Sequence, residues 1–296
     1  MALNLTALTD YVNQNSREFV TRVITENDTV KYLNEVGALR VGVKGKEAVQ
    51  ILDSEVKIQT NDNCGRTNSG DTTFSQVVLE VKPLADFQNM CPKAFEKKWM
   101  SQYLTKGQKY TDLLFAEDMM LVRASKIAEA NEKLIWQGDT ASADPNLNKF
   151  NGVLKLLKTP AKKVVLVAGD DITTQLQKIV LEANPAVVNS GDFTIFVGKD
   201  KAIAYQIALA NENLFKEGDP LKVLGTDIRI VAVTGLTGVN KIVAGRASHL
   251  IVGTDLTSDL DIASLEYSVE TKQFYMDFQW SLGVAVAFSD GFVLGE

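Results

Sequence analysis

The stretch Asp112 to Gln137, DLLFAEDMMLVRASKIAEANEKLIWQ, contains neither Gly nor Pro, and it constrains the fold more than any other part of the chain. Leu113, Met120, Ile127 and Leu134 recur at helical spacing with Ala116, Ala124 and Ala130 near the same stripe, while Glu117, Asp118, Arg123, Lys126, Glu129, Glu132 and Lys133 supply the polar positions. This pattern predicts one long amphipathic helix. Thr111 or Asp112 is its expected N-cap and Gly138 its C-terminal stop. At ~1.5 Å per residue the helix is about 39 Å long, roughly the diameter of a domain. Its apolar stripe needs a cover, and the remaining segments are the candidates.

Before it, Leu8, Val12, Phe19 and Val23 fall on one face of a helix with Thr9 or Asp10 as its expected cap, interrupted at Asn27-Asp28. A second helical piece, Val30 to Val36, ends at Gly37. Helices this short are marginal alone, so the arm formed by residues 1 to 42 requires a neighbouring surface, which another copy of the chain could provide. The period then changes. Val56, Ile58 and Thr60 alternate with Glu55, Lys57 and Gln59, and Val77, Leu79 and Val81 alternate with Gln76, Val78, Glu80 and Lys82, predicting two strands. The polar tip between them, residues 61 to 73, contains Cys64, Arg66, Gly65 and Gly70. A two-stranded ribbon is also marginal without support. Cys91-Pro92 opens a short helix with Phe95, Trp99 and Tyr103 on one face, closed by Gly107.

Beyond Gly138 a polar loop leads to a buried turn at Phe150 to Leu154. From Val164 strands and helices alternate: VVLVAG, a helix capped by Asp170 or Asp171, Phe193 to Val197, a helix from Ala202 to Asn211, Ile228 to Val233, Lys241 to Ala244 and His249 to Val252. Residues 160 to 253 therefore read as an α/β unit. Strand patterns return at Leu265 to Val269, Phe274 to Trp280 and Val284 to Phe288, with a turn at Glu270 to Lys272 and a break at Ser281 to Gly283. These strands carry the large apolar side chains that could cover the long helix, which makes the α/β unit an insertion into a split domain. The fold class is α+β.

No arrangement of residues points to catalysis. The net charge of −6 and the short basic runs argue against a general nucleic-acid binder. Cys64 and Cys91 form no CxxC pair, and no apolar run approaches the ~20 residues needed to span a bilayer. The single histidine, His249, lies in a strand pattern without a GxSxG nucleophile elsewhere. Gly42-Val-Lys-Gly-Lys46 has glycines three apart and Glu47 where a phosphate loop needs Ser or Thr, so a glycine-relaxed loop is the reading. Asp255, Asp259 and Asp261 match no calcium-loop spacing, and Gly235 to Gly238 reads as a turn. The expectation is no catalytic site, no cofactor and no metal.

The order of parts resembles the major capsid protein of tailed bacteriophages, the Hong Kong 97-type fold. NEKLIWQGD, residues 131 to 139, FNGVL, residues 150 to 154, and KIVAGRASHLIVGTDL, residues 241 to 256, carry the resemblance locally. It implies an N-terminal arm over 1–42, an extended loop over 43–85, a peripheral domain over 86–159 with 254–296, and an axial domain over 160–253. It implies a structural protein and not an enzyme, self-assembling into the hexamers and pentamers of an icosahedral shell around double-stranded DNA. Its partners would be itself and portal, scaffolding or decoration proteins, with no sequence-specific DNA binding and no membrane. The place is the virion, assembled in the host bacterial cytoplasm. Intersubunit contacts are expected from Leu8, Val12 and Phe19 on the arm and from Val56, Lys57, Ile58, Cys64, Arg66, Val77 and Leu79 on the ribbon. Because the arm starts near Met1, any scaffold is expected to be a separate protein. Lys57 lies on the ribbon without a matched cross-linking partner. An encapsulin, a cellular shell of similar fold, is the nearest alternative. An α/β enzyme using Asp170, Asp171 and Asp259 is the alternative of a different class.

Overall fold

The computed structural model describes residues 5–59, 70–91, 112–167, 169–212, 214, 221–255 and 262–296, with side chains from residue 9 and, in the long helix, from residue 118. The long helix spans Asp112–Gln137 as its pattern predicts. Its end is set by two glycines packed back to back. Gly138 N–H donates to Leu134 O at 3.0 Å, and Gly152 N–H donates to Gly138 O at 2.8 Å. A Cβ on Gly138 would lie 2.5 Å from Phe150 O, so a side chain there cannot fit without displacing the backbone. The capping position at Thr111 and the short helix from Pro92 to Gly107 lie outside the described residues.

The arm is three helices: α1 (Leu5–Gln14), α2 (Ser16–Thr25) and α3 (Asp28–Val36). Thr9 and Asp10, expected as caps, sit inside α1, and the break falls at Asn15, whose amide Nδ2 donates to Tyr11 O at 2.8 Å. Gly37 ends α3 in the left-handed region at φ 77°, as glycine permits. Val12, Phe19 and Val23 are buried in one cluster with Met120, Ile127 and Leu134 of the long helix and Phe274, Met276 and Phe278. The surface that the arm needed is therefore this chain's own helix and sheet. Burial there uses up Val12 and Phe19, which are not available to another subunit. The side chains of Leu8 and Leu113 lie outside the described set.

The strands are β1 (Leu39–Val41), β2 (Lys46–Ser54), β3 (Thr72–Glu80), β4 (Lys82–Met90), β5 (Lys162–Val164), β6 (Phe193–Gly198), β7 (Arg229–Val233), β8 (Ile242–Arg246), β9 (Leu250–Thr254), β10 (Ala263–Ser268), β11 (Gln273–Val286) and β12 (Val293–Gly295). One sheet has the order β1-β9-β11-β10, with β4 also paired to β11. Here β11 runs unbroken through the expected break at Ser281 to Gly283. Its first part pairs with β4 and β10, and its last residues pair with β9. The second sheet has the order β5-β12-β8-β6-β7. Its Ile195 and Val197 face a cluster with the helices Ile172–Glu182 and Lys199–Asn211, while Phe196 faces the long helix and stacks on Trp136 at 5.2 Å. This alternation buries both faces of the sheet.

Three expectations change. β12 joins the second sheet, so the residues after 254 do not all cover the long helix. β9 joins the first sheet, although its residues read as the end of the α/β unit. The run VVLVAG is not a buried strand: β5 stops at Val164, and Val165 and Val167 are exposed. The run stays extended beyond β5, with Leu166 N–H donating to Glu296 O at 2.8 Å, but only alternate side chains turn inward, so Leu166 is buried between the two exposed valines.

A buried polar node joins these layers. Thr29, in the first turn of α3, donates its hydroxyl to Glu132 and its N–H to both Glu132 carboxylate oxygens at 3.3 Å. Trp136 Nε1–H donates to Thr29 Oγ1 at 2.7 Å. Glu132 thus satisfies the N-terminus of α3 from another helix, where Asn27 makes no side-chain cap bond. Beside it, Asp28 accepts from Thr234 Oγ1 at 2.6 Å and pairs with Lys199 at 2.7 Å. Burial pushes Asp28 up, but the Lys199 and Thr234 hydrogen bonds hold it below its ordinary value. Burial pushes Glu132 up to about 7, offset by the Thr29 hydrogen bonds and reinforced by the Asp28 charge.

A carboxyl whose folded-state value lies above its unfolded value stabilises the fold most when protonated. The Glu132 contribution is therefore complete below about pH 4.5 and is lost as pH rises through about 7. Its size is on the order of 3 kcal/mol. Urea unfolding of Glu132→Gln should lose this component of the pH dependence, and an unchanged slope between pH 5 and 8 would contradict it.

Candidate assembly surface

β2 and β3 pair antiparallel from Lys46↔Glu80 to Ser54↔Thr72 and project as a ribbon outside the two sheets. The first strand therefore precedes the alternation at Val56 to Thr60, which lies beyond its end. Successive side chains point to opposite faces. On the inner face Val49, Ile51, Val77 and Leu79 pack with Val43, Val81, Ile251 and Ala285. On the outer face the register sets Ala48 opposite Val78, Gln50 opposite Gln76 and Leu52 opposite Phe74. Leu52 is 57% exposed and Phe74 79%. An opposed pair of large apolar side chains left in water marks a contact surface more than an isolated exposed residue would.

The base of the ribbon is seated by glycine. Gly253 and Gly283 are partners across β9 and β11. A Cβ on Gly283 would lie 2.2 Å from Glu80 O, and one on Gly253 would lie 2.7 Å from Leu79 Cδ2. The bare patch lets the ribbon backbone rest directly on the sheet, which explains why the apparent break at Gly283 is no turn. Above it, Glu80 accepts from Lys82 Nζ at 2.5 Å and lies 3.6 Å from Lys46. The Lys82 hydrogen bond, more than the Lys46 charge, holds its carboxyl below the ordinary range.

The residues expected to make intersubunit contacts separate accordingly. Leu79 is fully buried and Val77 half-buried within this chain, so Leu79 anchors the ribbon instead of meeting a neighbour. Val56 and Ile58 are exposed, Ile58 at 97%, and Lys57 lies 3.7 Å from Glu55. Cys64 and Arg66 lie outside the described residues. The outward pair Leu52 and Phe74 escaped the sequence reading. Their signal, the spacing Ala48-Gln50-Leu52 against Phe74-Gln76-Val78, was present but could be paired only with the register in hand.

The acidic groups considered for an enzyme are occupied locally. Asp170 pairs with Lys178 at 2.5 Å, and Asp171, the N-cap residue of the helix Ile172–Glu182, accepts from Thr173 Oγ1 at 2.5 Å. Asp259 lies outside the described residues. His249 stacks on Phe288 at 4.8 Å, and burial, more than the nearby Arg246, keeps its imidazole below the usual value. Gly42 and Gly45 take φ values of 83° and 82° in the loop between β1 and β2. Among the described residues no group of three His, Cys, Asp or Glu gathers to hold a metal.

The chain matches no protein-family model and no curated protein sequence. Solved structures match it over most of its length. A chain of the satellite phage P4 procapsid, which includes a size-determination protein, is 12% identical, covers 90% of this chain and 89% of its own, and superposes with a TM-score of 0.57. The capsid of a native GTA particle gives 11% identity, coverages of 89% and 88% and a TM-score of 0.58. Gordonia phage Cozz gives 9% identity, coverages of 88% and 85% and a TM-score of 0.58. The chain therefore has the fold of phage capsid proteins.

Replacing Leu52 and Phe74 together by Asp should leave the urea unfolding of the subunit within about 0.5 kcal/mol, as expected of surface positions. The same change should abolish assembly into large particles, read by sedimentation. Gly283→Val should instead cost about 1–3 kcal/mol by overpacking the ribbon seat, and unaltered stability would show that the seat yields.

Proposed function

We propose that this chain is the major capsid subunit of an icosahedral bacteriophage shell of the Hong Kong 97 type, assembling as hexamers and pentamers around double-stranded DNA. The fold shared with phage and GTA capsids over nearly the full length of both chains carries this reading. The ribbon supports it, because Leu52 and Phe74 present an outward apolar pair that one subunit leaves in water. Within the proposed division, the first sheet with the long helix forms the peripheral domain and the second sheet with its two helices the axial domain. β12 is contributed to the axial sheet by the C-terminal end of the chain. The chain's net charge of −6 suits a wall that contains DNA without gripping it.

Electron microscopy of the full chain, expressed alone and with the products of neighbouring genes, tests the proposal. Closed shells or capsomer assemblies containing DNA are expected in the co-expressed sample. Small oligomers under every condition would overturn it, and shells enclosing a protein cargo would replace the phage role by that of a cellular compartment.

A further inference from the structure

A cleft of about 450 Å³ lies between the long helix and β4, lined by no residue of the ribbon strands. Its walls include Ile127, Leu134, Leu84 and Trp280, and Arg123, Lys126 and Lys149 also line it, against Asp86 as the one carboxylate. The volume lies at the lower end of the range that accepts a compact ligand or a few side chains.

The charges are not equally available. Arg123 is committed to Asp86, donating from Nε at 2.5 Å and from Nη2 at 2.6 Å. Lys126 shares Glu129 with Lys133, at 3.0 and 3.2 Å, so one carboxylate serves two ammonium groups. Lys149 has no carboxylate partner among the described residues. A surplus of positive charge therefore stands at the rim of a cleft whose lining mixes apolar and polar side chains. Two deeply buried donors in the same lining are poorly served. Among the described residues Trp280 Nε1–H has no acceptor, and the Asn131 amide reaches Val23 O at 3.5 Å.

We infer that this cleft docks an acidic peptide segment of a partner protein, with an apolar side chain against Trp280 and Ile127 and a carboxylate between Lys126 and Lys149. A peptide suits it better than a nucleic-acid backbone. Phosphates need several unencumbered cations in a row, whereas here the Arg123 guanidinium is already neutralised by Asp86, and Lys126 shares Glu129. The inference concerns a surface distinct from the ribbon and holds whether or not the chain forms shells.

The test measures fluorescence anisotropy on the purified full chain with three labelled probes. These are the peptide Glu-Leu-Asp-Phe-Glu, its counterpart Lys-Leu-Lys-Phe-Lys, and an oligothymidylate. Saturable, salt-weakened binding of the acidic peptide alone is expected. Lys126→Gln with Lys149→Gln should weaken it by about tenfold. Ala130→Trp, at an exposed position on the cleft wall, should block it while the melting temperature stays that of the parent. No saturable binding, equal binding of the lysine peptide, preference for the oligothymidylate, or unaltered affinity in both variants would each overturn the inference. The comparison of probes on the unsubstituted chain decides the matter even if a variant fails to fold.

Discussion

Burial of the long helix Asp112–Gln137 is the interaction on which the other elements depend, because several layers of the chain share its cover. The arm helices α1 and α2 supply part of the cover, the turn at Thr234 to Leu236 another, and the sheet centred on β11 shares the same apolar cluster. These segments are far apart in sequence, so each is held in place only when the others are present. Gly235 illustrates the tightness of the arrangement: a Cβ there would lie 2.4 Å from Glu132 O. Cores packed this closely respond to displacement as a unit.

The Glu132 node gives this packing its directionality. Apolar burial alone would allow α3 to slide or rotate against the long helix, whereas the hydrogen bonds from Thr29 accept one register. Asp28, Thr234 and Lys199 extend the same constraint to the second sheet. Placing a carboxyl where its ionised form is disfavoured destabilises the fold near neutral pH. What is obtained in exchange is a defined orientation between the arm and both sheets.

The parts legible in the sequence were those specified by local chemistry. The long helix was readable to both ends because nothing within it breaks a helix and Gly138 stops it. Gly37, β6 and β7 were similarly marked. The failures share a cause, since each depended on a partner distant in sequence. β2 was misplaced because Val56 to Thr60 alternates as well as Lys46 to Ser54 does, and only pairing with β3 distinguishes them. Gly283 reads as a break in the sequence because its purpose, admitting the backbone at Glu80, is invisible along the chain. Glu132 looked like one more solvent-facing acid until α3 was brought against it. On the assembly surface the ribbon was anticipated, but which of its faces is already occupied was not.

The pairing of β1 with β9 and of β4 with β11 has a temporal meaning as well as a spatial one. The first sheet cannot close until residues near Val286 have been synthesised, although the ribbon is complete at Glu80. At translation rates of ~5–20 residues per second, the outward face of the ribbon waits roughly 10–40 s for the sheet that will hold it. During that interval the ribbon's residues exist without the sheet on which its inner face rests. Pairing between segments this far apart in sequence makes the closing of the first sheet a late step of folding.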